Sequence, residues 1–206
     1  MKIPKNTAKR FSIYYRCLKR ISAKGVKLIS SKDLANLTEI KSTQIRKDFS
    51  YFGSFGKKGI GYDIEFLSKQ IEGILGLKKE WNVVVVGIGL MGRALTMNNL
   101  YWGEKFKIKG LFDNDPDKIG NKINGMKIRH IDELENFTRE NNIEIAILTV
   151  PANEAQKIAT VLEKGGIKGI LNFAPLKLNV DPKIKVEDFQ ISSFLNILTY
   201  RITKDL

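Results

Sequence analysis

The chain has 206 residues, of which 43% are hydrophobic and 28% are charged, and its formal net charge is +13. This length and composition suit one large or two small folded domains and exclude a disordered tail. Residues 1–80 carry a net charge of +11, whereas residues 81–206 carry only +2. We therefore expect the N-terminal part to face a polyanion, with a merely solvated basic surface as the alternative.

Cysteine content and hydropathy narrow the class of protein further. Cys17 is the single cysteine, which excludes an internal disulfide and a cysteine-based zinc site, so we expect no metal. The first residues, MKIPKNT, lack the apolar core of a signal peptide, and no apolar run approaches the roughly 18 residues of a membrane span. These features predict a cytoplasmic protein with no membrane partner.

The basic part of the chain shows a longer helical pattern followed by two short ones. Apolar residues recur at helical spacing over residues 7–24, and Gly25 is expected to end this helix. Ser30 and Ser31 predict the N-cap of a short helix, and Ser42 predicts the cap of another, STQIRKDFSYF. Two short helices across a tight connection are typical of a helix-turn-helix.

The stretch GSFGKKGIGYD, residues 53–63, contains four glycines and two adjacent lysines. Such glycine density predicts a hairpin with the lysines at its tip, which is the wing of a winged helix. An amphipathic helix over residues 64–75 and a boundary near residue 80 follow. We therefore predict a winged-helix DNA-binding domain over residues 1–80.

The second short helix would present its polar side chains to DNA. Arg pairs with guanine and Gln with adenine in the major groove, whereas Ser, Thr and Lys suit phosphates, and lysines of a wing suit the minor groove. The predicted DNA-binding residues are Ser42, Thr43, Gln44, Arg46, Lys47, Ser50, Tyr51, Lys57 and Lys58. A winged helix that binds protein is the alternative, which the charge of +11 disfavours.

Strand and helix patterns alternate beyond residue 81, as expected for a parallel sheet covered on both faces. Strand-like runs lie at 83–86, 108–112, 145–150 and 169–173, and helical patterns lie at 93–101, 132–141 and 154–164. This order predicts a Rossmann-type doubly wound α/β fold over residues 81–190, followed by a C-terminal helix in residues 191–206.

The stretch NVVVVGIGLMGRAL, residues 82–95, runs from a strand through a Gly-x-Gly-x-x-Gly pattern into a helix. Gly87 permits a tight turn, Gly89 lets the backbone approach a pyrophosphate, and Gly92 lets the helix pack on the strand. The helix N-terminus offers amides and a positive dipole end to phosphates. A glycine-rich turn without a ligand is the alternative, but this context favours nucleotide binding.

Asp113 ends the next strand about 20 residues beyond Gly92, where an acidic side chain binds the adenosine ribose hydroxyls. A carboxylate there would repel a 2′-phosphate, so NAD(H) is favoured over NADP(H). The alternative is that Asp113 only caps the turn before Pro116, a role that we assign instead to Asp115 and Asp117.

No catalytic group stands out. A dehydrogenase needs an acid–base group beside the nicotinamide and usually a substrate domain. His130, the single histidine, is expected away from the strand ends that form the crevice, as a surface or structural residue. The lysines form no recognisable catalytic arrangement, and few residues remain outside the predicted cofactor domain to form a substrate-binding domain. The sequence therefore predicts a protein that is not an enzyme.

Seven stretches of the chain together resemble one known family. They are YYRCL (14–18), SSKDLA (30–35), QIRKDFSYFGSFGKKGIGY (44–62), GIGLMG (87–92), FDNDPDKIG (112–120), AILTVPANEAQ (146–156) and GIKGILNFAPLKL (166–178). They resemble the Rex family of redox-sensing transcriptional repressors. The resemblance implies a homodimer that binds palindromic double-stranded operator DNA when NADH is scarce and releases it when NADH rises. It also implies that the C-terminal helix is swapped between subunits beside the partner's DNA-binding domain.

The pattern and the resemblance together define an NAD(H) site. The predicted cofactor-binding residues are Gly87, Ile88, Gly89, Leu90, Met91, Gly92, Asp113, Val150 and Pro151. Family members usually carry Asn-Leu between the second and third glycines, where this chain has Leu-Met.

Two further departures concern the link between cofactor and DNA. Family members usually have a tyrosine where Asn98 falls, and an aspartate that aligns with Gln190 or, in a shifted register, with Asp188. The resemblance implies that this aspartate exchanges partners between the tyrosine and the arginine of YYR, which is kept here as Arg16. Opposite Gln190, Arg16 could form only a hydrogen bond to a neutral acceptor, which is weaker than a charge-assisted one. We predict that Arg16, Asn98 and Gln190 are the coupling residues and that the coupling is altered or small.

The leading hypothesis is therefore a repressor that the NADH/NAD+ ratio controls. Control requires NADH and NAD+ to bind the DNA-competent and incompetent dimers with different affinities. A constitutive DNA-binding protein with structural NAD stays an alternative because of Asn98 and Gln190. A small NAD-dependent oxidoreductase with a nucleic-acid-binding domain is a further alternative, but it lacks an acid–base candidate.

Overall fold

The computed structural model describes residues 3–53, 61–98 and 103–204. The chain divides into two compact units, Met1–Lys79 and Glu80–Leu206. In the described ranges, no helix is both long and apolar enough to cross a membrane.

The N-terminal unit combines helices with one short antiparallel strand pair. Its elements are α1 (Lys5–Ser22), β1 (Leu28–Ile29), α2 (Ser31–Thr38), α3 (Ser42–Phe49), a 3-10 turn (Ser50–Phe52), β2 (Tyr62–Asp63) and α4 (Ile64–Ile74). Strands β1 and β2 pair antiparallel. Helices α2 and α3 form the predicted helix-turn-helix. Residues 54–60 of the predicted wing lie outside the described residues.

Aromatic packing builds the core of this unit. The ring centroids of Tyr14 and Phe49 lie 5.2 Å apart, and those of Phe49 and Tyr62 lie 5.0 Å apart, both edge-to-face. This arrangement contributes stabilisation beyond the area that the rings bury. Helix α3 is thereby packed against both α1 and β2.

The caps of the two short helices differ from each other. The Ser30 hydroxyl accepts the Asp33 amide at 3.0 Å, so the predicted cap of α2 is correct. The predicted Ser42 cap is wrong, because α3 already contains Ser42 and is preceded by Lys41, which makes no side-chain cap. The amides of Gln44 and Ile45 both donate to the Lys41 carbonyl, so the helix starts one residue earlier than the pattern indicated.

The C-terminal unit is a sheet with helices. Its elements are β3 (Trp81–Val86), α5 (Leu90–Met97), β4 (Phe106–Asp113), β5 (Lys122–Ile123), β6 (Met126–His130), α6 (Leu134–Glu140), β7 (Ile145–Leu148), α7 (Ala152–Lys164), β8 (Gly169–Asn172), β9 (Lys185–Asp188) and α8 (Ile191–Lys204). The strand order is β5-β6-β4-β3-β7-β8-β9. Among the described strands of this seven-stranded sheet, only β5 pairs antiparallel with its neighbour. The predicted Rossmann-type parallel sheet is confirmed.

The valine run of β3 explains why this strand is central. Val84 and Val86 belong to one buried cluster, and Val83 and Val85 belong to another. Successive side chains of a strand point to opposite faces, so a continuous apolar run requires cover on both faces. The strand order reverses beside β3, because β4 and β6 lie on one side and β7 and β8 on the other. In such sheets ligands bind at this switch point, outside the carboxyl ends of the strands.

Candidate functional site

A cleft of about 610 Å³ lies at the carboxyl ends of β3, β4 and β7, and we call it the glycine cleft. Its lining residues are Gly87, Gly89, Asp113, Asn114, Asp115, Lys118, Ile131, Thr149, Val150, Pro151, Glu154 and Ile158. It occupies the switch point of the sheet, where a doubly wound fold binds nucleotides.

The three glycines of the turn have the geometry that a dinucleotide requires. Gly87 has φ 92°, and a Cβ there would lie 2.7 Å from the Thr149 carbonyl oxygen. A Cβ at Gly89 would meet no heavy atom within 4 Å, so this position opens onto free space. A Cβ at Gly92 would collide with the Gly87 carbonyl oxygen. The turn and the packing of α5 therefore need glycine, and the open side of Gly89 leaves room for a pyrophosphate.

Asp113 fixes this turn to the end of β4. Its side chain is 5% exposed, and Oδ2 accepts the Ile88 amide at 2.6 Å. Oδ1 accepts the Asp115 amide at 2.9 Å. Asp113 therefore does cap its own turn, as the alternative reading held, and it lies at the same time in the wall of the glycine cleft.

Lys118 closes a small ionic cluster beside this carboxylate. Its Nζ lies 3.3 Å from Asp113 Oδ2 and 3.2 Å from Asp115 Oδ2. The hydrogen bond from Lys118 lowers the pKa of Asp115. Asp115 also accepts the Asp117 amide at 3.0 Å. The sequence motif did not reveal the part that Lys118 plays in this cluster.

A second hollow of about 400 Å³ shares Thr149 and Val150 with the glycine cleft, and we call it the α8 hollow. Its lining residues are Met91, Thr149, Val150, Phe173, Pro175, Phe189, Gln190, Ile191 and Ser192. The structure thus brings Met91 and Gln190 to one cavity with Val150. Leu90 is 93% exposed and Ile88 is 1% exposed, and neither lines either cavity.

Aromatic rings connect the α8 hollow to helix α8. The centroids of Phe173 and Phe189 lie 4.9 Å apart, and those of Phe189 and Phe194 lie 5.5 Å apart. Phe194 belongs to α8, whereas Phe173 and Phe189 line the hollow. The contact between Phe173 and Phe189 was not predicted, because it joins segments that are distant in sequence.

The alternative register for the coupling acid can be compared directly with Gln190. Asp188 ends β9, where its Oδ1 accepts the amide Nδ2 of Asn172 at 2.9 Å. Gln190 lines the α8 hollow and its Oε1 accepts the Ser193 hydroxyl at 3.4 Å. Asn98 directly follows α5 and is half-buried, and Arg16 is exposed on α1. Of the three predicted coupling residues, Gln190 lines the α8 hollow, whereas Arg16 and Asn98 line neither this hollow nor the glycine cleft.

His130 is not where the sequence placed it. It ends β6 and pairs in register with Asp113 at the end of β4, so it lies at the carboxyl edge of the sheet that forms the crevice. The sequence placed His130 at the edge of a strand, as β6 shows, but did not place that strand beside β4. Nδ1 accepts the Asp132 amide at 3.2 Å and the side chain is 41% exposed. Strand β4 separates β6 from β3, so His130 lies at the Asp113 end, away from the α8 hollow.

Helix α3 carries most of the predicted DNA-binding residues. The side chains of Thr43, Arg46, Lys47 and Ser50 are exposed, whereas those of Ser42, Gln44 and Tyr51 are half-buried. The Arg46 guanidinium donates to the Ser31 hydroxyl at 3.1 Å, which connects α3 to α2. Lys57 and Lys58 lie outside the described residues.

A buried carboxylate that the sequence did not reveal holds α3 against α1. Asp48 is 1% exposed and accepts two hydrogen bonds of 2.6 Å from Arg10. It also accepts the Tyr14 hydroxyl and the Gln44 amide, each at 2.8 Å. Burial alone would raise the pKa of Asp48, but these hydrogen bonds outweigh burial and hold it below the usual value. Gln44 is therefore restrained by a neighbour on its own helix.

Known protein families match both units. A model described as "Putative DNA-binding protein N-terminus" matches residues 2–50, and one described as "CoA binding domain" matches residues 78–176. No group of three or more His, Cys, Asp or Glu side chains suited to a metal occurs within residues 3–53, 61–98 and 103–204.

The chain is similar to curated proteins over nearly its full length. It is 48% identical to the redox-sensing transcriptional repressor Rex 1 of Thermotoga maritima, covering 98% of this chain and 97% of that protein. Identity to the Rex repressor of Thermosipho africanus is 44%, covering 100% and 98% of the two chains. Identity to the Rex repressor of Thermus thermophilus is 42%, covering 98% of this chain and 95% of that protein.

Solved structures of a Rex-family repressor are also similar to this chain. RSP in complex with β-NAD+ and operator DNA matches with a TM-score of 0.91 and 33% identity, covering 100% of this chain and 94% of that chain. RSP, a Rex-family repressor, in complex with β-NADH matches with a TM-score of 0.89 and 32% identity, covering 100% and 96%. The chain therefore belongs to the Rex family of redox-sensing transcriptional repressors.

Proposed function

We propose that this protein binds palindromic operator DNA as a homodimer and that NADH bound in the C-terminal unit weakens this binding. The observation that carries the proposal is the glycine cleft, where an open Gly89 and a buried Asp113 face the switch point of the sheet. The match to RSP structures that contain β-NAD+ with operator DNA, or β-NADH, supports the same ligands here.

The residues of the cleft suggest how each part of NAD(H) is held. The turn from Gly87 to Gly92 and the N-terminus of α5 would receive the pyrophosphate, with backbone amides as donors. Asp113 would accept the ribose hydroxyls, although its oxygens already accept two amides. Ile88 shapes the turn, because its amide donates to Asp113. Leu90, at the start of α5, contributes backbone only, since its side chain is 93% exposed.

The α8 hollow would receive the nicotinamide end of the cofactor. It adjoins the glycine cleft at Val150, and Met91 belongs to its wall. Pro151 belongs to the wall of the glycine cleft. Bound NAD(H) supplies a ring that carries a positive charge when oxidised and none when reduced. The hollow holds the first residues of α8, so the cofactor would touch the segment where this helix begins.

Operator binding is assigned to the N-terminal unit. Thr43, Arg46 and Lys47 are exposed on α3, a helix placed second in a helix-turn-helix and so suited to the major groove. The exposed Ser50 suits a phosphate. Gln44 donates to Asp48, which limits its freedom to pair with a base. The lysines of the wing would add contacts in the minor groove.

Helix α8 supports the homodimer. Its apolar side chains are more than half exposed in this chain: Ile191, Phe194, Leu195, Ile197, Leu198, Tyr200 and Ile202. A contiguous apolar surface of this kind marks an interaction site. We propose that a second copy of the chain covers it, with α8 swapped between subunits, and that Arg16, Asn98 and Gln190 transmit the cofactor state to the DNA-binding units.

We propose that the crevice senses the cofactor and does not catalyse hydride transfer. We also propose that the protein is cytoplasmic. The ionisable side chains that line the glycine cleft are Asp113, Asp115, Lys118 and Glu154. They belong to that cleft and do not line the α8 hollow, where the reactive ring would lie. A hydride transfer needs an acid–base group within hydrogen-bond reach of its substrate.

Fluorescence anisotropy of a labelled palindromic duplex, selected from a random library for binding this protein, tests the proposal. We expect NADH to weaken binding and excess NAD+ to restore it. Lys47→Ala should weaken binding with or without nucleotide, because it removes a phosphate contact, whereas Lys183→Ala in the other unit should not. If saturating NADH left operator binding unchanged, the sensing part of the proposal would fail and the DNA-binding part would stand.

A further inference from the structure

The exposed face of α1 carries a row of cations. This helix has no acidic side chain and six basic ones, which are Lys5, Lys9, Arg10, Arg16, Lys19 and Arg20. Arg10 donates to the buried Asp48, whereas the other five are exposed or partly so. At about 100° per residue, four of them lie within about 60° of one another around the helix axis. We call these four the α1 ridge: Lys5, Lys9, Arg16 and Arg20.

Other surface helices of this protein neutralise their cations locally. Glu65 lies 2.7 Å from Lys69 on α4, and Glu135 lies 2.9 Å from Arg139 on α6. Both pairs have the four-residue spacing at which opposite charges stabilise a helix. The α1 ridge has no acid on its own helix, so its charges are arranged differently from those of α4 and α6.

The ridge instead places like charges side by side. Lys5 and Lys9 are four residues apart, and so are Arg16 and Arg20, a spacing at which like charges destabilise a helix. Within the described ranges, the side chains of Lys9, Arg16 and Arg20 make no ion pair. The helix dipole favours a cation in the last turn, where Arg20 lies, but disfavours one at the first residue, Lys5. The ridge therefore does not stabilise α1, and a polyanion bound to it would relieve the repulsion.

The ridge points away from the face of α3 that is assigned to the operator. Asp48 and Phe49 of α3 contact Arg10 and Tyr14 of α1. Around the α1 axis, Tyr14 lies about 150° from the middle of the ridge. The exposed side chains of α3 likewise lie on the side of that helix opposite its buried residues. Within this unit, a duplex bound to α3 therefore leaves the ridge uncovered.

We propose that the α1 ridge binds the phosphate backbone of a second DNA duplex, an inference that rests on the proposed operator binding by α3. From Lys5 to Arg20 the ridge spans about 22 Å at about 1.5 Å per residue, which is the length of about six base pairs of duplex DNA. A row of cations without an acid matches a row of phosphates. Lysine is depleted from protein–protein interfaces, which makes an acidic protein the poorer fit. The repressor would thus hold the operator on one side and a second DNA segment on the other.

A bead assay with the full-length protein tests this inference. Protein is bound to an immobilised operator duplex, free protein is washed away, and a fluorescent duplex without operator sequence is added. The ridge variant is Lys9→Gln with Arg20→Gln, because Arg16 is assigned to coupling and stays unchanged. The matched control is Lys157→Gln with Lys164→Gln, which removes two exposed charges from helix α7 of the other unit. Glutamine is a good helix former, so both variants should fold, and anisotropy with the operator alone should match the native protein.

The native protein and the control variant should retain the second duplex. In the ridge variant we expect retention to fall about 3- to 10-fold, the value of two exposed ion pairs, and to depend less steeply on salt. Native protein that holds the operator but retains no second duplex, or equal retention by the ridge variant and the native protein, would overturn the inference. Retention of labelled polyglutamate in place of the duplex would indicate an acidic protein partner and would also overturn it. Native protein that does not bind the operator would instead overturn the proposed function.

Discussion

Each unit holds a functional segment in place with one buried carboxylate, but the two carboxylates have different kinds of partner. Asp48 is 1% exposed and accepts hydrogen bonds from three side chains, those of Arg10, Tyr14 and Gln44. Asp113 is 5% exposed and accepts two backbone amides, and Lys118 lies beside it. Asp48 is thus enclosed by protein, whereas Asp113 lies in the wall of a cleft.

The difference indicates what each segment is built to do. Three hydrogen bonds from Arg10 and Tyr14 of α1 to the Asp48 carboxylate fix α3 on α1 before any ligand arrives, which preorganises a binding surface. Asp113 fixes only the backbone of the glycine turn, and the cleft wall stays open to a ligand. The N-terminal unit therefore presents a fixed surface, and the C-terminal unit presents an open site.

The largest effect should come from removing the charge of Asp48. Asp48→Asn leaves Arg10 without a buried counter-charge, and we expect the free energy of unfolding of the N-terminal unit to fall by about 3 kcal/mol. Operator affinity should fall with it, because α3 loses its attachment to α1. Urea unfolding followed by circular dichroism measures the loss. Glu65→Gln, which breaks the exposed Lys69 pair, should change stability by less than about 0.5 kcal/mol.

The next effect concerns the cofactor. Asp113→Asn should weaken NADH binding by about 10-fold, because it removes a charge-assisted acceptor for the ribose and for the Ile88 amide. It should also reduce the preference for NADH over NADPH. Asp117→Asn, an exposed position beside the same turn, is the matched control and should change neither Kd. Native protein that binds NADPH as tightly as NADH would contradict the role assigned to Asp113.

A smaller effect is expected on pH dependence. The pKa of Asp48 is lowered in the folded unit, so its ionised form stabilises the fold above the unfolded pKa of about 3.9. That stabilisation is lost as the pH falls through the lowered folded value. The Tm of the native protein, measured by thermal unfolding between pH 3 and pH 7, should therefore decline below about pH 4. In Asp48→Asn the Tm should decline less steeply with falling pH. An equal slope in the two proteins would exclude Asp48 as the source of the pH dependence.

The smallest effect concerns the aromatic contact between the α8 hollow and α8. Phe194→Leu removes the ring that packs on Phe189, and we expect the Kd values for both nucleotides to change by less than about 2-fold. The difference in operator affinity between the NAD+ and NADH complexes should shrink by about 2- to 5-fold, the value of one aromatic pair. Phe66→Leu, another exposed ring, serves as the control.

The parts of the molecule that were predictable depend on local backbone requirements. Positions 87 and 92 of the glycine turn leave no room for a Cβ, and the Ser30 cap needs a hydroxyl, so both features are visible in the sequence. The valine run of β3 likewise implies burial on two faces. These features do not require knowledge of distant partners.

The unpredicted parts depend on contacts across the chain. Arg10 and Asp48 are 38 residues apart, and the rings of Phe173 and Phe189 come from different segments of the sheet. His130 was placed at the edge of a strand but not at the crevice, because the pairing of β6 with β4 joins separate segments of the chain. The walls of the α8 hollow come from α5, from the ends of β7 and β8, and from the start of α8.

The central claim is that the NADH/NAD+ ratio controls how tightly this protein binds operator DNA. The most direct test is the anisotropy of a labelled palindromic duplex bound to the full-length protein, at constant total nucleotide and varying NADH/NAD+ ratio. We predict that the bound fraction falls as the ratio rises and recovers when the ratio is lowered again. A bound fraction that stays constant across all ratios, although both nucleotides bind the protein, would contradict the account.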